Sequence, residues 1–99
     1  MAEYRMQGAD LYDRNKNRMG YARDNAVFDA TNRRMGYLRG NDIYDATNRR
    51  MAYLKELDVY SSTNYRVGRI EDFRRRIDKA PEGPIAVALL MLLAKSADG

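Results

Sequence analysis

Residues 26–57 read AVFDATNRRMGYLRGN followed at once by DIYDATNRRMAYLKEL, one sixteen-residue phrase written twice. Looser copies flank it, DLYDRNKNRMGYARDN at 10–25 and DVYSSTNYRVGRIEDF at 58–73. Such repetition decides the architecture, because a unit this short cannot bury its own apolar face whereas several neighbours can bury theirs together. Sixteen residues are too few for a helical pair, and the β-branched and aromatic content favours strands. Each unit therefore reads as a hairpin. Val27, Phe28 and Asp29 lead into the turn Ala30, Thr31 and Asn32, and the chain returns through Arg33 to Leu38.

A three-residue hairpin loop needs a positive φ at its last position, which asparagine tolerates better than most residues. Asn32, Asn48 and Asn64 recur there. Asp29 and Asp45 open the turn, where a short acceptor bonds the backbone ahead. Lys16 takes the asparagine position in the first copy, so that turn is expected to be looser or shifted toward Asn15 or Asn17. Placing Asp29 opposite Arg33, Phe28 opposite Arg34 and Val27 opposite Met35 puts Val27, Met35 and Tyr37 on one side of the ribbon. Phe28, Gly36 and Leu38 then take the other, with the aromatic ring lying over the strand glycine.

A lone hairpin is marginal in water, so the four must share neighbours. Leu11, Val27, Ile43 and Val59 form one equivalent set, and Met19, Met35, Met51 and Val67 another. Arrangement about an axis turns each set into a ring, while a linear meander leaves exposed edges. Closure is the expectation, because residues 3–8 (EYRMQG) look like a return strand able to pair near Val67–Ile70.

The recurring order of aliphatic, aromatic, Asp, turn, Asn, polar pair, aliphatic, Gly and aromatic resembles the small bacterial domains called four-fold beta flower. The resemblance covers residues 3 to about 71 and implies a mainly β fold of hairpins around a pseudo-fourfold axis; it carries no activity with it.

The division is then 1–73, a four-repeat β domain, and 74–99, a tail with a Pro/Gly break at 81–84. Ile70, Phe73 and Ile77 at helical spacing predict a short amphipathic helix over 71–79. After Pro84 the run IAVALLMLLA (85–94) predicts an all-apolar helix, about half of what a bilayer requires. It must be covered, either by the β repeats or by a copy from another chain, in which case Ile85, Leu89, Leu92 and Leu93 form the oligomer interface. Insertion into a membrane surface is the least favoured alternative, since the run lacks a charged face.

Composition narrows the chemistry. With 44% apolar and 32% charged residues the chain is globular rather than disordered. Cysteine and histidine are absent, which removes disulfides, thiolate or imidazole metal sites and the usual hydrolase nucleophile and base. No cofactor or phosphate-loop motif is present, residues 1–9 carry no signal-like apolar core, and a cytoplasmic location is the default expectation.

Arg18, Arg34, Arg50 and Arg66 recur at one position, and if they converge near the axis they form an anion site. The plainer reading is that each stacks on an aromatic of its own hairpin and pairs with a turn aspartate. Tyr21, Tyr37 and Tyr53 are candidates to line a central pocket or stack bases, against a role as core residues with hydroxyls at the rim. The methionines read as core rather than a thioether metal ring, the repeated aspartates as turn initiators rather than acid–base pairs, and Arg74–Arg76 as a solvated helix face rather than a polyanion contact. The functional expectation is a non-enzymatic structural or protein-interaction domain, a homo-oligomer or the partner of another protein; the alternative is a module binding an anionic ligand or nucleic acid.

Overall fold

The computed structural model describes residues 2–94. Nine strands form an antiparallel meander in chain order: β1 (Tyr4–Gln7), β2 (Asp10–Asp13), β3 (Arg18–Arg23), β4 (Ala26–Asp29), β5 (Arg34–Arg39), β6 (Asp42–Asp45), β7 (Arg50–Lys55), β8 (Asp58–Ser61) and β9 (Arg66–Arg69). Helix α1 (Ile70–Arg74) leads to a two-residue strand, β10 (Ile77–Asp78), which pairs parallel with β1. The last element, α2 (Ile85–Leu89), continues as a wider π turn over Leu90–Ala94.

Two loop types alternate. Two-residue turns join β1 to β2, β3 to β4, β5 to β6 and β7 to β8; their first residues, Gly8, Asp24, Gly40 and Glu56, all have positive φ. The three-residue loops carry the asparagines, with φ of 71°, 67° and 68° at Asn32, Asn48 and Asn64. The first loop is not looser. Lys16 adopts φ 67°, and its N–H donates to Asp13 O at 3.0 Å as Asn32 does to Asp29. The Asp13 carboxylate holds that loop by accepting from the N–H groups of Asn15 and Asn17 at 2.8 and 2.9 Å.

The expected facing of the strands is corrected by a β-bulge in every repeat. Phe28 pairs with Arg34, but the register then shifts so that Val27 pairs with Gly36 rather than Met35. The same shift falls at Leu11/Tyr12, Ile43/Tyr44 and Val59/Tyr60. One extra residue flips everything beyond it. Val27, Gly36 and Leu38 thus share the core face, and Phe28 and Tyr37 lie opposite. Met35 is the bulged residue, half-buried against the core like Met19 and Met51.

Leu11, Val27, Ile43 and Val59 are fully buried and join one cluster with Ala86–Leu90, Leu92 and Leu93. Ten strands about 4.8 Å apart would span about 43 Å if flat, yet the longest axis of the molecule is 34 Å. The sheet therefore curls, and the apolar helix fills the curl. Glycine on β3 and β5 admits that helix: a Cβ at Gly20 would lie 2.9 Å from a δ-methyl of Leu93, and one at Gly36 2.8 Å from Leu92. Leucines of the helix, not the aromatic rings of the hairpins, cover the strand glycines.

The sheet is open, which corrects the expected closure. Among the described residues β1 pairs with β2 and β10, and β9 with β8 alone. Helix α1 stops at Arg74 instead of running to 79, because the chain re-enters the sheet as β10: Ile77 is buried, and Arg76 O accepts the Tyr4 N–H at 3.0 Å. The β9 edge is blunted locally, since the Arg69 N–H donates to Asp72 Oδ2 at 3.0 Å.

Candidate functional site

The repeated polar residues stand on the face of the sheet away from the core. The bulge brings an arginine over the tyrosine three residues on, with Arg18 4.9 Å above the Tyr21 ring, Arg34 4.7 Å above Tyr37 and Arg50 4.8 Å above Tyr53. Each tyrosine also stacks on the aromatic across from it: Tyr21 on Phe28 and Tyr37 on Tyr44 at 5.0 Å, Tyr53 on Tyr60 at 5.2 Å. The hydroxyls of Tyr21, Tyr37 and Tyr53 donate to Oδ1 of Asn32, Asn48 and Asn64 in the next repeat. These asparagines thus take the left-handed turn position and anchor the preceding hairpin. The regular eleven-residue offset between tyrosine and asparagine was the available sequence signal for that link.

The arginines do not converge on one site, and Leu11, Val27, Ile43 and Val59 share the core with the helix instead. They are spread over β3, β5, β7 and β9, and three meet an aspartate at the start of the paired strand: Arg18–Asp10 at 3.2 Å, Arg50–Asp42 at 3.6 Å and Arg66–Asp58 at 3.3 Å. All three pairs are solvent-exposed and worth a few tenths of a kcal/mol each, up to about 1. The second repeat has Ala26 in place of the aspartate, and Arg34 makes no ion pair among the described residues.

Nor do Tyr21, Tyr37 and Tyr53 line a central pocket. With a guanidinium over the ring and a second aromatic against it, each is already engaged, whereas base stacking requires an open face. The turn aspartates act on their own backbone: Asp29 Oδ1 accepts from the Thr31 hydroxyl at 2.6 Å and from the Thr31 and Arg33 N–H groups at 2.9 and 3.0 Å, and Asp45 repeats this with Thr47 and Arg49. The threonine hydroxyl first, then the arginine N–H, hold both carboxyls below their ordinary value. Of the Arg74–Arg76 run, Arg74 donates to Pro81 O and Glu71, and Arg76 pairs with Glu3 at 2.9 Å.

The candidate oligomer interface lies mostly inside the chain. Leu89, Leu92 and Leu93 are buried in the core and Ile85 is half-buried, because the curled sheet covers the helix. Among the described residues the large apolar side chains that face solvent are Leu57 (62% exposed), in the turn that closes the third repeat, and Tyr65 (73%) and Val67 (48%) on the fourth. Sequence reasoning assigned Leu57 and Tyr65 no role and placed Val67 with the methionines. Their signal was departure from the repeat, since Leu57 stands where Asn25 and Asn41 do, Tyr65 where Arg33 and Arg49 do, and Val67 where three methionines do.

Among the described residues no three of His, Cys, Asp and Glu are grouped to hold a metal ion, and no helix is long and apolar enough to cross a membrane. These features define a class, a small mainly β domain of tandem hairpins closed over its own apolar helix. The sequence model of the family described as 4-fold beta flower protein matches residues 9–87, and the chain belongs to that family. No curated protein and no solved structure shows a significant match to it.

Proposed function

We propose that this is a non-enzymatic interaction domain, its hairpins arranged about a pseudo-fourfold axis, which associates with a second copy of itself through the apolar side chains exposed at the β8–β9 end of its sheet. The observation that carries this is the exposure of Leu57, Tyr65 and Val67 along the β8–β9 end of the sheet, each a departure from a pattern the other repeats keep. The repeat shows that polar residues serve those turn positions equally well for folding, so exposed leucine and tyrosine there have a use at a surface. β9, carrying Val67, is also the last strand of the open sheet.

Reversion to the repeat tests it. The double variant Leu57→Asn and Tyr65→Arg keeps the turns and core, and analytical ultracentrifugation of it beside the parent chain reads the assembly. A concentration-dependent dimer that the variant converts to monomer supports the reading; a parent chain that stays monomeric at high concentration overturns self-association.

A further inference from the structure

A cavity of about 480 Å³ opens between the third and fourth three-residue loops, α1 and the end of the apolar helix. Its floor is apolar, built from Met51, Phe73, Leu90 and Met91, and its rim carries Arg49, Arg50 and Arg76. Among the described residues no acidic side chain lines it. Arg50 lies over Tyr53 and is held by Asp42 at 3.6 Å, Arg76 lies over Tyr4 and uses Nε for Glu3, and Arg49 makes no ion pair among the described residues, so Arg49 and the remaining N–H groups of Arg76 are the rim donors left for a ligand.

A second observation points the same way. The residue opening the three-residue loop is Asp13, Asp29 and Asp45 in the first three repeats and Ser61 in the fourth. Ser61 lines this cavity. As a loop cap it is the poorer acceptor: Thr63 and Tyr65 N–H reach its Oγ at 3.3 and 3.2 Å, against 2.9 and 3.0 Å for the matching bonds to Asp29. The fourth repeat thus carries the poorer cap at a loop that borders this arginine-rimmed cavity.

We infer that this cavity binds an anionic amphiphile of the long-chain carboxylate class, the acyl chain on the methionine and phenylalanine floor and the head group at the Arg49, Arg76 and Ser61 rim. The size is that of a small-molecule site, apolar with a few placed polar groups. Methionine suits a flexible chain. This site adjoins the self-association surface, since the Tyr65 N–H donates to Ser61 Oγ at 3.2 Å, but its lining does not include Leu57, Tyr65 or Val67.

The experiment titrates the full chain with dodecanoate below its micelle concentration, following methionine methyl and Phe73 ring signals by NMR, with dodecanol and dodecyltrimethylammonium as chain-matched controls. Saturable one-to-one binding of the carboxylate is expected, with the two controls weaker by about tenfold or more. Ser61→Asp restores the cap of the other repeats, so it should fold at least as stably as the parent while losing about tenfold in carboxylate affinity; Arg76→Gln should lose a similar factor. Absence of binding, equal affinity for the neutral alcohol, or an unchanged affinity in Ser61→Asp overturns the assignment. Binding by a peptide with an apolar carboxyl-terminal end but not by dodecanoate overturns it in favour of a protein ligand.

Discussion

The δ-methyls of Leu92 lie where a side chain on Gly36 would begin: a Cβ built there would be 2.8 Å from each, and it would also run into the carbonyl oxygen of Tyr44. In the third repeat Ala52 holds the same register, paired with Ile43, and is fully buried. The helix therefore rests on bare backbone in two repeats and on a methyl in the third. Gly36→Ala is expected to destabilise by about 1–3 kcal/mol through overpacking, and Ala52→Gly by about 1 kcal/mol through strand entropy and lost packing. Urea unfolding with unchanged slope measures both.

Lys16 occupies a left-handed conformation that asparagine takes in the other repeats. Lys16→Gly relieves a backbone cost of about 1–2 kcal/mol, offset in part by glycine's entropy, for a net gain of about 0.5–1 kcal/mol. Asn32→Ala should lose more than that strain alone predicts, because it also removes the acceptor of the Tyr21 hydroxyl. Thermal melts of the two variants give the comparison.

Asp29 and Asp45 have carboxyls held below their ordinary value, first by the Thr31 and Thr47 hydroxyls. A carboxyl depressed in the folded state stabilises fully above its unfolded value, and that contribution disappears as pH falls through the folded one. Melting temperature is thus expected to fall as pH drops through and below the ordinary carboxyl value of 3.8. Asp29→Asn with Asp45→Asn keeps an acceptor in each turn without the titration, so this acid limb should flatten; an identical slope in parent and variant contradicts the role given to these two residues.

Ala26→Asp supplies the carboxylate that Arg34 lacks and its equivalents have. The gain should be a few tenths of a kcal/mol and should vanish as salt is raised to about 1 M, as for any exposed pair. Melting curves at low and high ionic strength check it. Arg34→Ala, by contrast, removes a cation–π contact over Tyr37 worth about 0.5–1 kcal/mol.

How far the sequence could be read depended on whether a residue's role was local. Asn32, Asn48 and Asn64 were legible because a three-residue loop imposes its own φ requirement, and the hairpins followed from their spacing. The face of each strand was not, because nothing in the letters distinguishes Met35 as a ladder residue from Met35 as a bulge, and that difference inverts Tyr37 and Gly36. Ile77 suits a helix by its spacing from Ile70 and Phe73, yet becomes a strand residue because the β1 backbone is free to pair there, a fact about residues more than seventy positions away. The arginines and tyrosines were recognisable as a repeated environment, and their placement outside the curl follows from the same bulge. Leu57, Ser61 and Tyr65 were visible only as breaks in the pattern.

The central claim is that the apolar helix fills the curl of its own chain. A mixed sample, half uniformly ¹³C-labelled and half unlabelled, distinguishes contacts within a chain from contacts between chains by isotope-edited and isotope-filtered NOE. Cross-peaks from the Leu92 methyls to the Gly36 α-protons arising only within labelled chains are the predicted result. The same cross-peaks arising between labelled and unlabelled chains would place the helix in a neighbouring molecule and contradict the account.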